Sequence, residues 1–307
     1  MTTTSKRPLT GSKPERPSGR GPHDLAGVLG KSLVERWTVF YDQVKRCQRR
    51  CTAGSIHDLR VATRRLIATM DIVLAVLPDA RLRKARRLLK KFLKAFNELR
   101  DVHVQLLASR KLAPQFPLIK AYRTMLLLRR QRLVKAASKQ IGAVNTAALE
   151  QLAASVEAGL HILFSEPVMQ EVGRTAAYGT MAVSFTRALD LRTRVSPSDT
   201  RTIHRVRVAF KKFRYTVEVL QPFLGGVDKP FLKSMNAYQL KMGDIQDIEV
   251  LTASVNAFTL LRGQSSPESF IPLHQHLARR RMELIKQYLA AADDITKFWK
   301  AEHTHFP

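Results

Sequence analysis

An eleven-residue block occurs twice in this chain. Residues 56–66 read IHDLRVATRRL and residues 203–213 read IHRVRVAFKKF, and seven of the eleven positions are identical or basic-for-basic. A second pair follows each at nearly the same distance. LRDVHV at 99–104 and IQDIEV at 245–250 place Asp101 44 residues after His57 and Asp247 43 residues after His204. Chance is a poor account of two ordered blocks at matched spacing. They point to duplication of a unit of about 150 residues, so the fold must accommodate the same helical unit twice.

Both blocks carry helical periodicity. At about 100° per residue, Ile56, Leu59, Thr63, Leu66, Met70, Val73 and Leu77 share one stripe, matched by Ile203, Val206, Phe210, Phe213, Val217, Leu220 and Leu224. Elsewhere, Pro- and Gly-containing breaks separate long segments with apolar residues at three-and-four spacing. These predict helices over 24–52, 55–77, 79–109, 116–141, 145–164, 167–190, 199–221, 228–261 and 270–300, with ends good to about 2–4 residues. No segment calls for a strand. The expectation is an all-α protein of two small helical bundles related by the duplication, over 23–142 and 143–307, after a disordered basic tail at 1–22. Ser55 with Asp58 matches a capping box at the start of the first repeated helix, and Asp199 or Thr200 suits the start of the second.

Each repeated helix also carries a basic stripe about 120° from the apolar one: His57, Arg60 and Arg64 in the first copy, His204, Arg207 and Lys211 in the second. Arg65, Lys212 and Arg214 adjoin it. On the next helix Arg83, Arg87, Lys90, Lys94, Asn97 and Asp101 fall near one line, and Lys229, Lys233, Asn236, Leu240, Gly243 and Asp247 form its less basic counterpart. The composition gives these stripes weight: 52 Lys and Arg against 25 Asp and Glu give a net charge of +27. Such a field draws anions. Asp101 and Asp247 end their rows and are expected to hold a cationic side chain in orientation, while the equivalent Asp71 and Glu218 read as structural ion-pair partners.

Arginine presents a planar fork matched to phosphate oxygens, lysine a point charge, and histidine a donor that gains charge as pH falls. Spread over two helices, these suit a ligand with a negative group every few ångströms. A single-stranded nucleic-acid binder interleaves aromatics with its cations to stack bases. Here aromatics are 7% of residues, and only Tyr215 and Tyr238 lie near the stripes. Cys47 and Cys51, four apart with no second Cys pair, suit a reduced intracellular protein rather than a zinc site. No run approaches the ~20 apolar residues needed to span a bilayer.

At His57, Arg60, Arg64 and Arg65 with Arg100-Asp101, and again at His204, Arg207, Lys211, Lys212 and Arg214 with Gln246-Asp247, the chain resembles the CHAD family of histidine-containing helical domains. The likeness covers nearly everything from residue 24 to 300. It implies two four-helix bundles about a pseudo-two-fold axis, a basic central groove or pore, and binding of long-chain inorganic polyphosphate without catalysis or cofactor. With the later-helix residues Arg83, Arg87, Lys90, Lys94 and Lys233, the cations of the two motifs form the expected binding set. Gln246 in place of Arg100, and the thinner second row, imply asymmetric binding. The ExExK strand motif of fused triphosphatase (CYTH) domains does not occur, so a stand-alone, non-enzymatic CHAD protein is expected, cytoplasmic and associated with polyphosphate granules.

Two other readings stand beside this one. A nucleic-acid or ribosome-associated basic protein would bind nucleic acid non-specifically through the same charge. A metal-dependent phosphohydrolase is prompted by His23-Asp24, His57-Asp58 and Asp101, but arginines around His57 would repel a divalent cation. His103, His161, His274 and His276 have no counterparts in the repeat and are expected to be core or surface histidines.

Overall fold

The computed structural model describes residues 24–144, 146–261 and 267–299, so the expected tail lies outside the described residues. Among those residues there are ten α-helices and no strand: α1 Leu25–Arg49, α2 Ala53–Val76, α3 Ala80–Ala95, α4 Asn97–Leu112, α5 Ile119–Gly142, α6 Thr146–Leu163, α7 Pro167–Thr193, α8 Thr200–Leu220, α9 Lys229–Leu261 and α10 Ile271–Ala290. The all-α expectation holds. No helix among the described residues is long and apolar enough to cross a membrane.

The punctuation follows local chemistry. Asp79 accepts from the Leu82 N–H at 2.8 Å to cap α3, Asp199 caps α8 through the Arg201 N–H, and Pro167 opens α7 where its missing N–H costs nothing. The first repeated helix starts earlier than expected. Its capping box is Thr52 with Ser55, and Asp58 instead accepts from Arg46 at 2.9 Å. Between α8 and α9 the chain turns through Gly226 at φ +72°, a left-handed conformation that a side chain would strain.

The larger departure is in the expected helix 79–109, which is two helices. Phe96 sits at φ −95°, ψ 4° between α3 and α4. No Pro or Gly breaks the sequence there, so the interruption is tertiary. In an unbroken helix the Leu93 carbonyl would accept from the Asn97 N–H; here it accepts from Arg60 on α2 at 2.9 Å and, at 3.4 Å, from the Phe96 N–H one residue earlier. The expected last helix also ends early, at Ala290, and passes into a 3₁₀ segment, Ala292–Phe298, held where the Tyr238 hydroxyl donates to the Ala292 carbonyl at 2.9 Å.

The apolar stripes of both repeated helices are buried, apart from half-buried Leu77. α2 is buried more widely, through Ala62, Ile67, Ala68, Thr69 and Ile72, because it packs against α1, α3, α7 and α8. Two apolar clusters result, and both cross residue 142. The larger joins α1, α2, α3 and α6 to α7, α8 and the start of α9; the smaller joins Val102, Ile119, Tyr122 and Leu126 to Leu251, Val255, Phe258, Leu273 and Leu277. The two sequence halves therefore share their cores, and the space left where α2 and α8 meet α4 and α9 holds the site.

Candidate functional site

A cavity of about 880 Å³ opens at this junction, lined among the described residues by nine arginines and lysines, four carboxylates and both repeat histidines. From α2 come His57, Arg60, Arg64 and Arg65, and from α8 come His204, Arg207, Lys211 and Arg214. The two basic stripes thus face one space. α4 adds Arg100 and Asp101, α9 adds Lys233, Asp244 and Asp247, and α1 adds Arg36.

These cations fall into two groups. Arg65 and Arg214 are tied: both donate to Glu218, at 3.0 and 2.9 Å, and Arg214 also donates to Gln239 at 3.1 Å. Glu218 is thereby the ion-pair partner expected from the repeat, and it joins α2 to α8. Its counterpart Asp71 pairs with Arg86 on α3. Arg64, Arg207 and Lys211 make no ion pair with a carboxylate among the described residues. Arg60 is the intermediate case, buried with one guanidinium nitrogen committed to the Leu93 carbonyl.

The electrostatics record the crowding. Burial pushes the Lys211 ammonium down to about 6, helped by Arg207, Arg64, Arg60 and Arg214. Burial also lowers Arg60, to about 10, and Arg64 and Arg207 in the same direction, with neighbouring cations adding to it. His57 and His204 are pushed below the usual histidine range by burial, then by Arg100 and Arg207 respectively, while the Gln246 side chain beside His204 opposes the shift. Both imidazoles are therefore neutral at pH 7. Burial raises Asp101 and Asp247, countered by Arg60 and Arg100 for the first and by Arg100 and Arg207 for the second. Neither forms a direct ion pair among the described residues, so they temper the cationic cluster without neutralising it.

The second rows divide differently from expectation. Lys233, Asn236, Leu240, Gly243 and Asp247 of the thinner row all line the cavity, whereas only Asn97 and Asp101 of the richer row do. Arg83, Arg87, Lys90 and Lys94 are exposed on α3 and do not line it, and neither does exposed Lys212. The line drawn through 83–101 presumes one helix, and the break at Phe96 destroys its phase. Sequence reasoning missed Arg36, which has no repeated counterpart.

A search of the curated proteins gave no match. Among solved structures, the chain is similar to the crystal structure of the CHAD domain from the plant Ricinus communis, at a TM-score of 0.63 and 19% identity over 89% of this chain and 91% of that one. It is also similar to PptA from Streptomyces chartreusis, at a TM-score of 0.60 and 17% identity over 89% of this chain and 98% of that one. At these identities the likeness speaks for the fold. The sequence model of the CHAD domain matches residues 37–256, a span that holds both repeated blocks and every wall of the cavity except Arg36, and the chain belongs to the CHAD domain family.

Proposed function

We propose that this cavity binds a segment of inorganic polyphosphate and that the protein is a binding module without catalysis, acting in the cytoplasm at polyphosphate granules. The observation that carries the reading is the group of Arg64, Arg207 and Lys211, brought together from α2 and α8 with no carboxylate paired to them among the described residues. Such a cluster is costly when empty. A chain with a charge on every phosphate relieves it, and arginine forks satisfy the phosphate oxygens. The cavity's four carboxylates each face guanidinium groups, Asp244 among them with Arg280 and Arg207, which suits an anion site better than a cation site. Among the described residues Tyr215 is the one aromatic side chain of Phe, Tyr or Trp type in the lining, so stacking of successive bases has little to stand on.

Calorimetric titration with long-chain polyphosphate, length-matched single-stranded RNA and heparin near physiological ionic strength tests the proposal. Polyphosphate is expected to bind orders of magnitude more tightly than either competitor, with a salt slope of roughly −0.7 to −0.9 per neutralised phosphate. Equal binding of all three would assign the interaction to the overall charge and favour the nucleic-acid reading.

A further inference from the structure

A second cavity, of about 810 Å³, lies on the other side of α4 and shares no lining residue with the first. α4 turns Arg100, Asp101 and Val104 toward the central cavity and His103 toward this one. Among the described residues the walls carry Arg50, Arg130, Arg132 and Lys135 and no carboxylate, and none of these four forms an ion pair. Arg130 belongs to the same helix as Arg129, which is held by Glu98 at 2.8 Å, so the local acid is already engaged.

Two further features point to an anion. The cavity meets the N-terminus of α2 at Thr52 and Ala53. Thr52 caps the Ser55 N–H, and the N–H groups of Ala53 and Gly54 have no partner among the described residues. His103, 8% exposed, lines the same space with its Nδ1 lacking a hydrogen-bond partner among the described residues. A buried polar atom without a partner is a standing cost.

We infer that this cavity is a separate binding site for one phosphate group, taken as free orthophosphate or as the terminal phosphate of a longer chain. Four cations, a helix N-terminus and an imidazole surround a tetrahedral anion from several directions, and phosphate supplies enough acceptor oxygens to use them. A carboxylate, with two oxygens in one plane, would leave donors idle. Burial, with Arg130 and Arg100 adding to it, pushes His103 down to about 4. The imidazole is therefore neutral near pH 7, and a dianion placed beside it would move its titration upward.

His103 is the reporter. Its imidazole resonances would be followed by NMR during titration with orthophosphate and, separately, tripolyphosphate. The variants are Arg50→Ala/Arg132→Ala/Lys135→Ala, at three exposed positions, and Arg64→Ala/Lys211→Ala, which disables the central cavity. A saturable shift at His103 is expected, weakened roughly tenfold or more by the first variant and retained in the second. A response to tripolyphosphate alone would identify the ligand as a chain end, and a response to both as the phosphate group itself. Silence at His103 with both ligands would overturn the inference, as would a response unchanged in the first variant or lost in the second. If circular dichroism shows the triple variant to be unfolded, single Arg132→Ala supplies the same comparison at smaller amplitude.

Discussion

The two copies of the repeat meet the cavity with the same residues in different states. In the first copy the partner helix breaks at Phe96, the freed Leu93 carbonyl takes a hydrogen bond from Arg60, and the basic row of α3 is carried away from the cavity. In the second, α9 runs unbroken over Lys229–Leu261. No carbonyl is released there, and the equivalent Arg207 lies beside Gly243 with its Nε unpartnered among the described residues. An arginine at matched positions of the two blocks is thus a helix cap in one half and an open donor in the other. A repeated motif therefore preserves residue types and positions, but the neighbouring backbone decides what each side chain is free to do.

The largest effect expected from this contrast lies in the open cations. Arg64→Ala/Arg207→Ala/Lys211→Ala should lower polyphosphate affinity by orders of magnitude in calorimetry, with helical circular dichroism unchanged because these side chains are off the apolar stripes. Lost helicity would make the face structural instead.

Next in size is the split between equivalent arginines. Arg60→Ala should destabilise the fold by about 1–3 kcal/mol, since it removes a buried guanidinium whose hydrogen bond ends α3, leaving the Leu93 carbonyl only the longer bond from the Phe96 N–H. Arg207→Ala should leave thermal stability unchanged or raised, while weakening polyphosphate binding more than Arg60→Ala does. Equal losses of melting temperature in the two variants would erase the distinction.

The pH response is a smaller effect. Lys211 is pushed down to about 6 from 10.5, so between those values the unfolded chain binds the proton that the folded chain has released. Stability should accordingly rise with pH across that window, and Lys211→Met should flatten the rise in denaturant titrations. Bound phosphate raises the same group, so polyphosphate should bind more tightly as pH falls toward 6, with proton uptake visible as buffer-dependent heat. A buffer-independent heat at neutral pH would argue against this role for Lys211.

The smallest effect concerns α3. Replacing exposed Arg83, Arg87, Lys90 and Lys94 by Ala should shift affinity by less than about tenfold, through long-range attraction alone, and the change should disappear at high salt. A larger, salt-resistant loss would return these residues to the binding surface.

Much of the molecule was legible in the sequence because helical periodicity is local. Ile56, Leu59 and Leu66, with Ile203, Val206 and Phe213, occupy the core as their spacing predicts, and Asp199 caps α8 through bonds within one turn. The repeat itself indicated that His57, Arg60 and Arg64 belong with His204, Arg207 and Lys211, and all six line one cavity. What needed tertiary structure were the features set by segments distant in the chain. The break at Phe96 arises where Arg60 captures a carbonyl 33 residues away, and no residue type near 96 announces it. Arg36 reaches the cavity from a helix outside the repeated blocks. Arg65 and Arg214 converge on Glu218 only because α2 and α8 meet. Residue spacing along the chain determines which face of a helix is basic; which of those cations stay unpaired depends on the carboxylates and carbonyls that other helices bring alongside, and that was decided only by packing.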